Sequence, residues 1–228
     1  MTEKVIEDCG LRNRTKVYRD QEREIKKEIS KSNITEVSKE LFLNRGYAQT
    51  NMADIAEIAK ISRKTLYRYF SSKEEIAMEI ELEVFRTFVG VQDEIVQSLH
   101  GNGYEKLSQY LEKLDVLVDD LSQLIRLTGM FDYYLVNEYP SESSQSEFIK
   151  LIEKVDEPFI QFINEGVKDG SIKTDIEVSY LARTISNSFL SLAQRIVTRR
   201  NHLDVELSIE SRKILAVQRT LFLKALKA

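Results

Sequence analysis

Apolar residues in this chain recur three and four positions apart almost from end to end, and only two prolines in 228 residues interrupt them. That spacing lays one apolar face along an α-helix, whereas the period-two alternation of a half-buried strand is nearly absent. Ile34, Val37, Leu41 and Phe42 form the clearest stripe, and Gly46 follows as a natural C-terminal stop. A short stripe of Met52, Ile55, Ala56 and Ala59 comes next, then Ser62 to Phe70. Ser71 and Glu74 have capping-box spacing and predict a helix start there, running through Ile76, Ile80, Val84 and Phe88 to Leu99. The break at 100–103 (His-Gly-Asn-Gly) ends it. Further helices are predicted over about 104–127, 130–138, 147–168, 175–200 and 204–226, with a polar loop at 141–146 and Pro158 kinking or splitting its helix. The fold class is all-α, with about nine helices.

Composition narrows the classes. The chain is 42% hydrophobic and 31% charged, enough apolar material for a core and too much for overall disorder. No apolar run reaches transmembrane length, and the first ten residues carry acids where a signal peptide needs an apolar stretch. The expectation is a cytoplasmic protein without membrane contact. Cys9 is the sole cysteine, which excludes an intrachain disulfide and a cysteine zinc site. His100 and His202 lack clustered ligand partners, so no metal site is expected. No phosphate loop, nucleophile motif or catalytic constellation is present, so neither an enzyme nor a bound cofactor is expected.

Net charge is −4, but it is unevenly spread. Residues 12–73 hold 15 Lys and Arg against 8 Asp and Glu, a local +7 that leaves the remainder at −11. A basic third on an acidic body suits a polyanion-binding face, although charge runs also occur on ordinary solvated helices.

The short helices within that basic third suit DNA. A helix-turn-helix needs two short helices packed closely, and Ala56 and Ala59 allow that approach. Ile55, Ile61 and Leu66 would fill the wedge between them, and Ser62 is placed as N-cap of the second helix. Arg63, Lys64, Thr65, Tyr67 and Arg68 then lie around its exposed surface. Arg and Lys donate to guanine edges and Thr meets a thymine methyl. For Arg63, Lys64 and Arg68, base contact and phosphate contact both remain open. Tyr69 and Lys73 are placed for phosphates, as are Thr50 and Asn51 ahead of the first short helix. Phe70, four residues after Leu66, belongs to the core.

The stretch from Ile34 to Glu75 resembles the N-terminal domain of the tetracycline-repressor (TetR/AcrR) family. The resemblance rests on Leu41-Phe-Leu-Asn-Arg-Gly-Tyr47, Asn51-Met-Ala-Asp-Ile-Ala56 and Thr65-Leu-Tyr-Arg-Tyr-Phe-Ser-Ser-Lys-Glu-Glu75. It implies three domains of the chain: an N-terminal extension at 1–29, a helix-turn-helix DNA-binding domain at 30–75, and a helical effector-binding and dimerisation domain at 76–228. It also implies that Thr50 and Asn51 touch DNA backbone, that Arg63, Lys64, Thr65 and Tyr67 sit on the recognition helix, and that Tyr69 and Lys73 hold phosphates. Two features depart from the family. Lys60-Ile61 replaces the usual Gly-Val of the turn, placing a lysine where a left-handed backbone is expected, at a strain on the order of 1 kcal/mol. Lys64 stands where a small residue is common, so the DNA preference should be this chain's own.

The extension is longer than the family's. Arg12, Arg14, Lys16 and Arg19 cluster around Tyr18, read either as an arm entering the minor groove or as a solvated tail or added helical turn. In the second domain, the resemblance implies a pocket among the middle helices. Phe88, Phe131, Tyr134 and Phe162 are candidate walls, with Asn137 and Asn187 as candidate polar anchors. No ionic cluster is evident, which favours an apolar or amphipathic small-molecule effector. A stripe of Leu181, Ile185, Ser188, Leu192 and Ile196, then Leu207, Ile214, Leu215, Leu221 and Phe222, is either intrachain core or the interface of a homodimer through the last two helices. The reading is a repressor held on a palindromic double-stranded operator and released when effector retilts the helix after Lys73. Activation, response to a protein partner, and an adaptor that no longer binds DNA are the alternatives.

Overall fold

The computed structural model describes residues 3–134 and 139–228, with side chains from residue 21 onward except Asn201. The chain divides into two compact units, Met1–Ile76 and Ala77–Ala228.

The first unit comprises α1 (Glu3–Arg45), α2 (Met52–Ile58), α3 (Arg63–Tyr69) and the first residues of α4 (Lys73–Gln97). The extension and the Ile34 stripe form one helix, α1, because no proline or glycine falls between Gly10 and Gly46. The side chains of Arg12, Arg14, Lys16 and Arg19 lie outside the described residues. Gly46 ends α1 at φ +87°, its N–H donating to Phe42 O at 3.0 Å. Ile34, Leu41 and Phe42 of α1 are buried, as are Ile55, Ala56 and Ala59 around α2, and Leu66 and Phe70 around α3. Asn33 of α1 donates to Ala59 O at 3.3 Å, tying α1 to the end of α2.

Both short helices are capped by the side chains their sequence offers. Asn51 caps α2, accepting from Ala53 N at 2.9 Å and Asp54 N at 3.1 Å, while Asp54 returns a bond to Asn51 N. Ser62 caps α3, accepting from Thr65 N at 3.0 Å. The cap of α4 falls one residue later than the spacing predicts. Ser72 Oγ accepts from Glu75 N at 3.2 Å, and Glu75 reaches back to Ser71 N at 2.6 Å. Glu74 is instead drawn away to Tyr47, whose hydroxyl donates to it at 3.0 Å.

Lys60, in the turn between α2 and α3, takes φ +56°. Its N–H donates to Glu57 O and the next N–H to Ala56 O, so the turn is fixed by the backbone and the side chain must tolerate it. Lys60→Gly is expected to raise the stability of this unit by about 0.5 kcal/mol, the relief of strain exceeding the added freedom of the unfolded chain. Lys60→Val should lower it by about 1 kcal/mol, since branching at Cβ suits this backbone worst. Urea unfolding of the three proteins checks both signs.

The second unit holds the rest of α4 with α5 (Gly103–Asp120), α6 (Ser122–Tyr134), α7 (Glu142–Asp169), α8 (Val178–Leu207) and α9 (Ser211–Leu226). Its largest core joins Leu107, Tyr110, Phe159, Phe162, Ile163 and Ile185, with Tyr110 edge-on to Phe159 at 5.0 Å. Gly103 and Gly166 let α5 and α7 approach backbone to backbone: a Cβ on Gly103 would lie 2.0 Å from Gly166 N.

Several boundaries differ from expectation, among them the break between α8 and α9, which falls at 208–210 and not at 201–203. The break between α5 and α6 falls at Leu121, where Asp119 and Asp120 set negative charge on a helix C-terminus, which its dipole disfavours. Gly129, expected near a boundary, lies inside α6, where its missing Cβ admits the Gln194 side chain. Helix α7 begins at Glu142, within the expected loop, because Ser141 caps it, and it continues unsplit through a buried Pro158.

Among the described residues the only β-type pairing is an isolated bridge, Ile172 with Lys227. No described helix is long and apolar enough to cross a membrane, and no group of three described His, Cys, Asp or Glu side chains could hold a metal ion.

Candidate functional site

Helix α3 has one inward side. Leu66 and Phe70, four residues apart, are buried, which turns Arg63, Lys64, Tyr67 and Arg68 outward. Tyr67 is 53% exposed, a large ring left in solvent between cations. Thr65 is half-buried at the cap, its hydroxyl 2.8 Å from Ser62 Oγ. Arg68 is held in place by its neighbour: its Nη2 donates to Tyr69 Oη at 3.1 Å and its guanidinium lies 4.9 Å from the ring centroid. The exposed face therefore presents three cations and a phenol on a short, doubly packed helix.

The residues flanking α3 divide into surface and scaffold. Asn51 is exposed but its side-chain oxygen is spent on the α2 cap. Thr50 corrects the expectation of a side-chain contact with DNA. It is 1% exposed, and its hydroxyl donates inward to Gly46 O at 3.0 Å. Lys73 is half-buried, its ammonium donating to Tyr47 O at 2.7 Å and Thr50 O at 2.8 Å, 4.1 Å from the Tyr47 ring centroid. Burial holds its pKa below the ordinary lysine value. Lys73 is thus a clamp across the loop before α2 as well as a surface charge.

In the second unit, a cavity of about 230 Å³ opens between α4, α5, α6, α7 and α8. Its walls are mainly apolar, among them Phe85, Phe88, Leu117, Ile152, Phe159 and Phe189. Of the candidates read from the sequence, Phe88 and Asn187 line it. Phe131 and Phe162 do not. Both are buried, and Phe162 packs against Tyr110 at 5.6 Å as core. Tyr134 stands at the surface against Tyr133, and Asn137 lies outside the described residues.

The polar lining was not foreseen. Gln92, Asp156, Ser186, Asp132 and Gln194 all face the cavity. The signal was present: Gln92 follows Phe88 by four and Asp156 follows Ile152 by four, polar residues on otherwise apolar helix faces. Ser186 Oγ donates to Asp156 Oδ1 at 2.6 Å, and Gln92 Nε2 donates to Val155 O at 3.2 Å. Near this cavity α4 buries Glu81, whose carboxyl is pushed up to about 8 by burial and then by the Asp132 charge.

The expected pairing stripe is corrected. Leu181, Ile185, Ile196 and Leu215 are buried within their own unit, because their spacing faces α5 to α7. Leu207 and Leu221 of the same stripe stay exposed, Leu221 at 62%, and the outer faces of the last two helices add Tyr180 at 69% and Val217 at 56%.

Residues 34–80 match the family described as bacterial regulatory proteins, tetR family. The HTH-type transcriptional repressor DhaR of Mycobacterium sp. (strain GP1) is 25% identical over 171 residues, 75% of this chain and 84% of that protein. A bacterial regulatory protein of the tetR family from Rhodococcus RHA1 shares the fold at TM-score 0.65 and 18% identity, covering 87% of this chain and all but 3% of its own (97%). FadR from Bacillus subtilis, solved with stearoyl-CoA, superposes at TM-score 0.62 and 17% identity over 85% of this chain and 98% of its own. With a capped helix-turn-helix inside the matched segment, an all-helical unit following it in the chain, and transcription regulators among the proteins it resembles, the chain carries a tetR-family DNA-binding domain within a TetR-like fold.

Proposed function

We propose that the chain is a homodimeric repressor that holds a palindromic operator with two copies of α3 and lets go when a small apolar or amphipathic molecule fills the cavity. The observation that carries this reading is the outward face of α3, with Arg63, Lys64, Tyr67 and Arg68 presented from a rigid, capped frame. Arg63, Lys64, Thr65 and Tyr67 read bases, while Asn51, Arg68, Tyr69 and Lys73 meet phosphates. Pairing runs through the outer faces of α8 and α9, supported by their exposed Tyr180, Val217 and Leu221. An amphipathic effector has precedent in the stearoyl-CoA held by Bacillus subtilis FadR. Helix α4 carries both ends of the switch, Lys73 in the first unit and Phe85, Phe88 and Gln92 in the cavity wall. Effector acts only through its different affinity for the gripping and released states.

Selection of DNA from a randomised pool by the full-length protein tests the reading. The expected outcome is an inverted repeat with half-sites about one helical turn apart or somewhat more. Lys64→Ala and Arg63→Ala should each weaken binding about tenfold; a lost base contact relaxes one operator position, and a lost phosphate contact flattens the log-log salt slope by about one. Leu221→Glu should convert dimer to monomer by light scattering and abolish binding with it. Enrichment of no sequence at all would refute the proposal.

A further inference from the structure

The cavity's charged side chains are all anionic. Its described lining contains two carboxylates, Asp132 and Asp156, and no Lys, Arg or His. Most donors on the wall are engaged at least once. Gln194 Nε2 donates to Thr128 Oγ1 at 2.9 Å and to Asp132 Oδ2 at 3.0 Å, and Asn187 Nδ2 donates to Arg183 O at 2.9 Å. The Ser186 hydroxyl is given to Asp156 and one N–H of the Gln92 amide to Val155, so the remaining donors are neutral ones, the second amide N–H of Gln92 and of Asn187 and the Ser191 hydroxyl.

Two acceptors of the lining, Gln92 Oε1 and Asp156 Oδ2, have no hydrogen-bond partner. Gln92 is 5% exposed, lines the cavity, and its Oε1 has no hydrogen-bond partner. The buried Tyr110 hydroxyl lies close enough to Gln92 for a weak hydrogen-bonding influence, but neither it nor Gln92 Oε1 has a partner in good geometry. A buried amide oxygen without a donor is costly, and an entering N–H would supply one. Asp156 is also buried, and its counter-charge, Arg183 Nε at 3.4 Å, is largely in solvent and therefore weakened by screening. Asp132 adds a second negative charge, strong enough to disfavour ionisation of Glu81.

Resting on the effector-cavity reading above, we infer that this site takes a lipophilic ammonium, a protonated amine on an apolar body, and disfavours carboxylates and phosphates. The ammonium N–H groups donate to Gln92 Oε1 and toward the carboxylates, while the body lies among Phe85, Phe88, Phe159 and Phe189. A space of about 230 Å³ is half as large again as the ~150 Å³ cavity that holds a benzene ring, so a fused pair of rings is a fitting body. An anion would replace water with two carboxylates and no cation, an unfavourable exchange.

Titration calorimetry on the full-length protein with 1-naphthylmethylamine, 1-naphthylmethanol and 1-naphthoate isolates the headgroup on one body. The expected order is amine, then alcohol, then carboxylate, with the amine at least tenfold tighter than the carboxylate. Asp132→Asn, at an exposed position, and Gln92→Leu should each narrow the amine-to-alcohol ratio about threefold or more. Each variant's melting curve confirms that it is folded. Carboxylate binding as tight as amine overturns this inference and leaves the effector-cavity reading standing. Binding of none of the three overturns both.

Discussion

Gly103→Ala is expected to destabilise the second unit by about 3 kcal/mol, and Gly103→Val to prevent it from folding. The added Cβ would fall 2.0 Å from Gly166 N, 2.4 Å from Gly166 Cα and 2.6 Å from Phe162 O. All three are backbone atoms of α7, so no rotamer change relieves the clash and the two helices must part. The start of α5 would move with them, straining the bond from Gly103 N to Asp169 Oδ2 at 2.8 Å and the core around Phe162 and Ile163. Gly129→Ala is the control. Its Cβ would meet the Gln194 side chain at 3.5 Å, an ordinary contact, and alanine inside a helix gains up to about 1 kcal/mol over glycine. Urea denaturation should therefore show opposite shifts for the two substitutions. An unchanged midpoint for Gly103→Ala would mean that α5 and α7 do not touch in this way.

Glu81 should make stability fall with rising pH, and Glu81→Gln should remove that dependence. The carboxyl is 3% exposed, Oε2 has no hydrogen-bond partner, and its pKa is raised to about 8, first by burial and then by Asp132. In the unfolded chain it titrates near 4.3. The folded protein therefore binds the extra proton between these two values. The stabilising contribution is complete below the unfolded pKa and is lost as pH rises through about 8. The shift corresponds to a few kcal/mol, about 3 after allowing for water entering the site. Wild type should melt progressively lower from pH 5 to pH 9, whereas Glu81→Gln, neutral throughout and of the same shape, should hold its melting temperature and exceed wild type at pH 9. Parallel curves for the two proteins would show that Glu81 is charged or solvated in the folded state.

Much of the first unit was legible because its determinants are local. Asn51, Ser62 and Gly46 cap or stop helices through bonds to residues two to four positions away, and the Leu66–Phe70 spacing alone turns Arg63, Lys64, Tyr67 and Arg68 outward. The same spacing could not tell a hydroxyl facing solvent from one facing inward. Thr50 and Lys73 look like surface donors in sequence, yet Lys73 reaches 23 residues back to Thr50 O and 26 back to Tyr47 O.

The second unit shows the other half of the lesson. Its aromatics were visible but not their destinations. Phe88 lines the cavity while Phe131 and Phe162, equally apolar and equally helical, fill solid core. Leu181, Ile185, Ile196 and Leu215 make a stripe as suited to a partner as to the chain itself, and packing against α5 to α7 claimed it.

By itself, then, the sequence determined the all-helical class, the caps of α2 and α3, and the outward cationic face of α3. Helical periodicity and capping act within a turn or two of chain and need no distant partner. Only the tertiary structure decided the inward roles of Thr50 and Lys73, the glycine contact between α5 and α7, and the cavity with its two carboxylates. Each of those depends on which residues, far apart along the chain, come within a few ångströms of one another, and one helix face looks the same in sequence whatever packs against it.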